Sequence, residues 1–279
     1  MASSPLLLRR PDKTSLVACY SRYQSDTAVA QYCDAHYGPD KFGVANFPAR
    51  LAELCAAAMA GKPQRRALDL GCAVGRASFE LATRFDHVTG IDYSAPFIAI
   101  ARRLQKRGRI NYRLPEEGDL ISDQQVRLTD LGLAVTASRV AFHQGDALQL
   151  DDQFTDYDLV LAANLIDRLP DPRKFLSEVH RLLARDGLLA IASPYSWLDH
   201  YTPRRQWLGG RFRAGVPMSS LEGLRKKLAR HFTAVGEPQE VEFVIRENAR
   251  KFQHYISQLT LWRRISCSSP IFYLWWLEL

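Results

Sequence analysis

Apolar residues follow two rhythms along this chain. Short apolar runs recur at Ala67–Leu70, His87–Ile91, Arg139–His143, Tyr157–Ala163 and Leu188–Ala192. Runs of this length, apolar on both sides, read as strands buried in a parallel sheet. Helical spacing separates them, from about Arg76 to Phe85 and from about Pro96 to Arg107, then in the stripe Phe175, Leu176, Val179, Leu182 and Leu183. Asp186-Gly187 turns that last helix into the fifth strand. Alternation of this kind predicts an α/β doubly wound sheet. Upstream, Tyr32, Cys33, His36 and Tyr37 lie at helical spacing until Gly38-Pro39 stops the run. Phe42–Pro48 reads as a loop, and a second helix spans Leu51–Met59. Downstream of Ser193-Pro194 comes a stretch rich in Tyr, Trp and Arg, then a helix near Leu221–Arg230. Phe232–Val235, Val241–Ile245 and Phe252–Trp262 supply the last strands. Residues 108–137 are too long and polar for a simple connection and are expected to be an insertion, read as a lid over the pocket. No internal repeat is visible.

The polar residues at the strand ends carry the chemistry. Asp69-x-Gly71-x-x-x-Gly75 follows the first strand, with Cys72 and Ala73 inside the glycine loop. Glycines let backbone approach a ligand, and the helix amides after Gly75 favour negative charge. The second strand closes on Asp92, with Tyr93 beside it. An acid there, roughly 20 residues after the loop, suits two ribose hydroxyls. This is not the dinucleotide fingerprint G-x-G-x-x-G, since an acid precedes the glycines and their spacing is longer. Asp69 gains nothing from a pyrophosphate but can hold a cationic amino-acid tail. The pattern therefore points to S-adenosylmethionine rather than NAD, with S-adenosylhomocysteine as product. Asp146 and Ala147, ending the third strand, are placed at the adenine, although Asp146 also reads as a helix cap. Asn164, Leu165 and Ile166 leave the fourth strand beside the methyl group. In these motifs the chain resembles the class I methyltransferases. That resemblance implies a Rossmann-like sheet, mostly parallel with an antiparallel last strand, preceded by N-terminal helices.

Composition narrows the setting. The chain has 279 residues, 47% of them hydrophobic, enough for one large domain with its own core. A net charge of +7 permits an acidic partner without demanding nucleic acid, and none is expected. The five cysteines are odd in number and widely spaced, without CxxC or zinc-type spacing. A reducing compartment is therefore expected, and no metal site. No apolar run reaches the ~18 residues of a membrane span. Met1–Arg10 is a poor secretory signal because its charge follows its apolar residues, so a cytoplasmic location is expected, with organellar transit as the alternative. Residues 1–25 read as a flexible leader and 266–279 as an apolar, aromatic tail. The domain between, 26–265, divides into a helical cap (26–62) and a core (63–265).

Motifs outside the core sharpen the resemblance. Tyr32-Cys33-x-x-His36-Tyr37-Gly38, Phe42-Gly43-Val44-x-Asn46-Phe47-Pro48, Asp167-Arg168-Leu169, Ser193-Pro194-Tyr195-x-Trp197-Leu198 and Phe243-Val244-Ile245-Arg246-Glu247 resemble the 4-mercaptohistidine N1-methyltransferases, as does Lys251-Phe252-Gln253-His254. This family is also found as the C-terminal domain of ovothiol-synthesising enzymes. The similarity runs from about Tyr32 to Arg264. It implies methyl transfer to an imidazole nitrogen of 5-thiohistidine, giving ovothiol, with a separate sulfoxide synthase installing the sulfur. On this reading Arg246 or Arg168 pairs with the substrate carboxylate, and Asp167 takes its ammonium. Tyr37, Phe47, Tyr195 and Trp197 wall the ring. Asn46, Asn164 or His36 fixes the tautomer that leaves a lone pair on the target nitrogen. Cys72 is expected to be a filler. The alternatives are a methyltransferase for another small amine or thiol, and a non-catalytic scaffold of the same fold.

Overall fold

The computed structural model describes residues 25–265. The proposed leader up to residue 24 and the apolar tail 266–279 lie outside the described residues. Two helices open the fold, α1 (Asp26–Tyr37) and α2 (Phe47–Ala58). Ser25 caps α1 by accepting from the Ala28 amide, and Asn46 caps α2 by accepting from Ala49, with Pro48 in the first turn. The cap brings α2 in at Phe47, four residues before the predicted start at Leu51. The core follows as β1 (Arg66–Leu70), α3 (Arg76–Leu81), β2 (His87–Asp92) and α4 (Ala95–Arg107). Next come β3 (Arg109–Glu117), β4 (Leu120–Arg127), β5 (Val140–Gln144) and β6 (Tyr157–Ala163). The chain then runs through α5 (Pro172–Glu178), β7 (Leu183–Ser193), β8 (Arg211–Arg213), β9 (Val216–Met218) and α6 (Ser220–Leu228). It closes with β10 (Phe232–Ala234), β11 (Gln239–Arg246) and β12 (Phe252–Arg264).

The main sheet is ordered β5-β2-β1-β6-β7-β12-β10, and β11 also pairs with β12. From β5 to β7 all neighbours are parallel. The long β12 runs antiparallel to β7, and β10 and β11 run antiparallel to β12. The doubly wound sheet with an antiparallel closing strand is thus observed. Alternating side chains feed two cores. Leu159, Leu161 and Ala190 face the layer of α1 to α4, with Leu51, Phe79 and Phe97. Val160, Leu189 and Ile191 face α5 and α6, with Phe175, Leu176 and Leu224. Strand order reverses between β1 and β6, so a crevice opens at their carboxyl ends.

Several boundaries differ from the sequence reading for local reasons. α3 ends at Leu81 rather than Phe85. Asp186, at φ 58°, does not end a helix before a strand. It sits with Gly187 inside β7, where pairing with β6 shifts register between Tyr157 and Leu159. Such an interruption lets β7 start at Leu183. The 108–137 insertion is largely a hairpin of β3 and β4. It lies against α1 and reaches the β11–β12 turn, where Glu116 pairs with Arg246 at 2.5 Å and accepts the Ala249 amide. Among the described residues no helix is long and apolar enough to cross a membrane.

Candidate active site

The crevice is a cavity of about 200 Å³ at the carboxyl edge of the sheet. Its floor is the glycine loop. Gly71 (φ 75°) and Ala73 (φ 46°) bend the chain sharply after β1. A Cβ on Gly71 would sit 3.3 Å from Leu165, so the glycine also lets the two loops approach. Asp69, Gly71, Cys72 and Ala73 all face the cavity. Burial pushes the Asp69 carboxyl up to about 7, with the neighbouring Asp92 adding to it, while a 2.6 Å bond from Ser78 Oγ opposes the rise. Gly75 does not reach the cavity. Its φ of 88° opens α3, and a Cβ there would fall 2.6 Å from the Phe142 ring. Packing by itself requires a glycine here, and Gly75 is not among the residues lining the cavity, where a cofactor contact was expected of it.

Asp92 and Tyr93 line the cavity at the end of β2. Asp92 accepts from the amides of Ala73 (2.9 Å) and Ser94 (2.8 Å), and burial raises its carboxyl to about 6. This ties the tips of β1 and β2 together and presents an acid where two hydroxyls would sit. Asp146 and Ala147 line the far end. Asp146 also accepts from Leu148 and Gln149, so it holds its own turn as well. Asn164 (φ 50°) and Leu165 close the wall after β6, whereas Ile166 is fully buried in the core below. Cys72 is buried, its thiol held well above the ordinary range by burial, as suits a filler.

A second lobe lies under α1, α2 and β11. His36, Phe47, Asn46 and Arg168 line it, as expected. Tyr32, Lys41, Phe97 and Phe243 line it without having been foreseen. The rings of Phe47 and Phe243 pack at a tilt, with centroids 4.8 Å apart. His36 sits between the rings of Tyr32 and Tyr37, and its buried Nδ1 has no hydrogen-bond partner. Burial, with Arg76 nearby, lowers its pKa to about 3, so the ring is neutral. Asn46 is occupied as a cap, and its Nδ2 donates to the carbonyls of Ala35 and His36. It therefore sets the shape of the lobe while it lines the cavity. Asn164 Oδ1 accepts from Ser257 Oγ at 2.7 Å.

Five expected substrate contacts are not brought to the cavity. Tyr37 is buried behind it and donates to the Val74 carbonyl at 2.8 Å. Asp167 is fully buried and accepts from Arg168, Ser193 and Ser196. Trp197 is core, bonded through Nε1 to Ser220. Tyr195 packs on the same core and meets Gln258. Arg246 is committed to Glu116 and to the Asn248 carbonyl. Each looked available in sequence because its partner lies in another segment. Arg168 does reach the cavity, its guanidinium anchored by Asp167 and Ser196. The insertion is not the expected lid, for no residue of 108–137 lines the cavity.

Residues 62–230 match the family described as "Methyltransferase domain". The chain belongs to the methyltransferase domain family. The crevice is that of this methyltransferase family member, and its paired acids, bent glycine loop and apolar walls fit S-adenosylmethionine. The ubiquinone biosynthesis O-methyltransferase of Xylella fastidiosa is 29% identical over 193 residues, covering 64% of this chain and 72% of that protein. Ajmaline N-methyltransferase of Rauvolfia serpentina is 30% identical over 135 residues, covering 47% of this chain. This match spans only 37% of the Rauvolfia protein, and that with phosphoethanolamine N-methyltransferase 2 of Caenorhabditis elegans only 24% of its length. Among solved structures, magnesium protoporphyrin IX methyltransferase from Synechocystis PCC 6803 superposes with TM-score 0.54 at 16% identity, covering 92% of this chain and 100% of that one. The [4+2]-cyclase SpnF superposes with TM-score 0.55 at 16% identity, covering 91% and 98%. At that identity the superpositions speak to fold.

Proposed function

We propose that the chain is an S-adenosylmethionine-dependent N-methyltransferase acting on an imidazole nitrogen of 5-thiohistidine to give ovothiol. S-adenosylmethionine would supply a methyl group already activated on its sulfonium. Asp69 and the glycine loop would hold its amino-acid tail, Asp92 its ribose, and Asp146 with Ala147 its adenine. The protein's task is then mainly alignment, which can supply ~7–11 kcal/mol. Two relatives that match the core bear N-methyltransferase names, which supports nitrogen as the acceptor.

The observation that carries the substrate reading is the aromatic wall of the second lobe, where Tyr32, Phe47, Phe97 and Phe243 stand beside the neutral ring of His36. An imidazole nitrogen is nucleophilic only with its lone pair exposed, so the other nitrogen must carry the proton. That N–H needs an acceptor. Asn46 Oδ1 accepts from Ala49 and Asn164 Oδ1 from Ser257, but an amide oxygen has a second lone pair, so both stay beside His36 as acceptors for that N–H. Phe47 and Phe243 offer flat walls to the ring. The buried, free cysteines Cys33, Cys55 and Cys72 suit the reducing cytoplasm proposed for the reaction, where a separate sulfoxide synthase would supply the thiol.

The test is product analysis by mass and fragmentation after incubation with S-adenosylmethionine and 5-thiohistidine. One methyl on a ring nitrogen is expected. His36→Phe should lower kcat by about 10²-fold, the scale of a lost positioning contact, or divert the methyl to sulfur. Wild-type rate and product in that variant would remove His36 from the mechanism. Cofactor binding without product would leave a methyltransferase for another small amine or thiol. Loss of both would favour a scaffold.

A further inference from the structure

The loop from Gly38 to Asn46 arches over the second lobe, and Pro39, Asp40, Lys41, Val44 and Ala45 all line it. It is a formed turn. Val44 N–H donates to the Lys41 carbonyl at 2.9 Å, and Phe42 and Gly43 both have positive φ. The turn folds Lys41 inward, so that its side chain is only 13% exposed. Its ammonium lies 2.9 Å from Asp34 Oδ2 and donates to the Pro39 carbonyl at 3.2 Å. Asp34 is itself buried, and Gly38 crosses so closely that a Cβ there would fall 2.5 Å from Asp34 Oδ1. A lysine normally keeps its ammonium in water, since burying a charge is costly. Here the fold provides a buried acid to hold it at the cavity wall. An ammonium has three donors; one is bonded to the Pro39 carbonyl, and Asp34 lies beside the group as its ion-pair partner while its Oδ2 accepts no hydrogen bond.

We propose that Lys41 receives a carboxylate of the substrate, in the role the sequence suggested for Arg246 or Arg168. The proposal rests on the reading of the cavity as a site for an amino acid with an imidazole ring. It makes the loop a specificity element, with Asp34 positioning Lys41 and His36 meeting the ring. Substrates of the same ring without the carboxylate would then be discriminated against through Lys41.

Two ligands and two variants test it, read as binding to protein saturated with S-adenosylhomocysteine and as KM. The ligands are 5-thiohistidine and 5-thiohistamine, which lacks the carboxylate. For the wild type, 5-thiohistidine is expected to bind at least about 10-fold more tightly, the scale of one charge-assisted hydrogen bond. Lys41→Met should erase that preference while leaving 5-thiohistamine unchanged, and Lys41→Arg should restore part of it. Equal weakening of both ligands in Lys41→Met would assign Lys41 to the fold alone and overturn the proposal. If neither thiol binds the wild type, the 5-thiohistidine reading fails. Imidazolepropionate and its amide then replace them, and absence of a carboxylate preference in that pair overturns Lys41 separately.

Discussion

Asp69, buried, and Asp92, half-buried, line one small crevice, and with the cofactor contacts proposed for them their raised pKa values, about 7 and about 6, are expected to make cofactor binding pH-dependent. A carboxylate holds an ammonium or a diol only when ionised. Affinity for S-adenosylmethionine is therefore expected to be full above pH 7 and to fall as pH drops through 7 and then 6, which titration calorimetry between pH 5.5 and 8 would follow. The stability sign is opposite in the unliganded protein. A folded-state pKa raised above the unfolded value of about 3.9 gives a contribution that is complete below pH 4 and lost as pH rises through 7. A flat affinity across this range would show that neither acid is released from its burial by the ligand. Arg246→Ala makes the contrasting case, since that guanidinium is bound to Glu116. Its KM is expected to stay within about twofold, with stability falling by no more than about 1 kcal/mol, as for a partly exposed pair. A tenfold rise in KM would return Arg246 to the site. The acids at the crevice were legible in sequence because each sits at the end of its own strand. Arg246 was not, because its partner is 130 residues away.

At the scale of elements, the caps and the glycine loop decide how the site is held. Asn46 caps α2 and fixes the carbonyl end of α1 together. Asn46→Ala is expected to cost about 1–2 kcal/mol, visible as a lower urea midpoint. It should raise substrate KM more than it weakens S-adenosylhomocysteine binding, because the lobe it shapes is the one proposed for the substrate. Gly75→Ala should be destabilised by about 1–3 kcal/mol, since its Cβ would overlap Phe142 at a positive φ. Retention of wild-type stability would mean that β5 can give way. Helix starts were readable from the Ser, Asn and Pro signals only once the caps were assigned, which is why α2 begins earlier than its apolar stripe. The hairpin of β3 and β4 was readable only as a long polar insertion. Its pairing gives a two-stranded sheet with one face on α1, a contact that no local pattern announces.

For the whole molecule, the crevice joins loops after β1, β2, β5 and β6 with α1, α2 and β11. A ligand there ties most of the fold together. S-adenosylhomocysteine at about 100 times its Kd is expected to stabilise by ~2.7 kcal/mol, raising Tm by about 5–10 °C. Asp92→Ala should lose most of that rise in a thermal scan at the same ligand concentration. An equal rise in the variant would place the ligand elsewhere. The sequence by itself determined the doubly wound sheet, where its first strands lie along the chain and the acids at their ends. These are set by short-range apolar period and by the steric freedom of glycine. Tertiary structure alone decided which polar side chains face the cavity and which are consumed inside the fold. A polar group's availability depends on whether a distant segment supplies its partner. That is why Asp167, Tyr37 and Arg246 turned inward while Lys41 was turned toward the crevice.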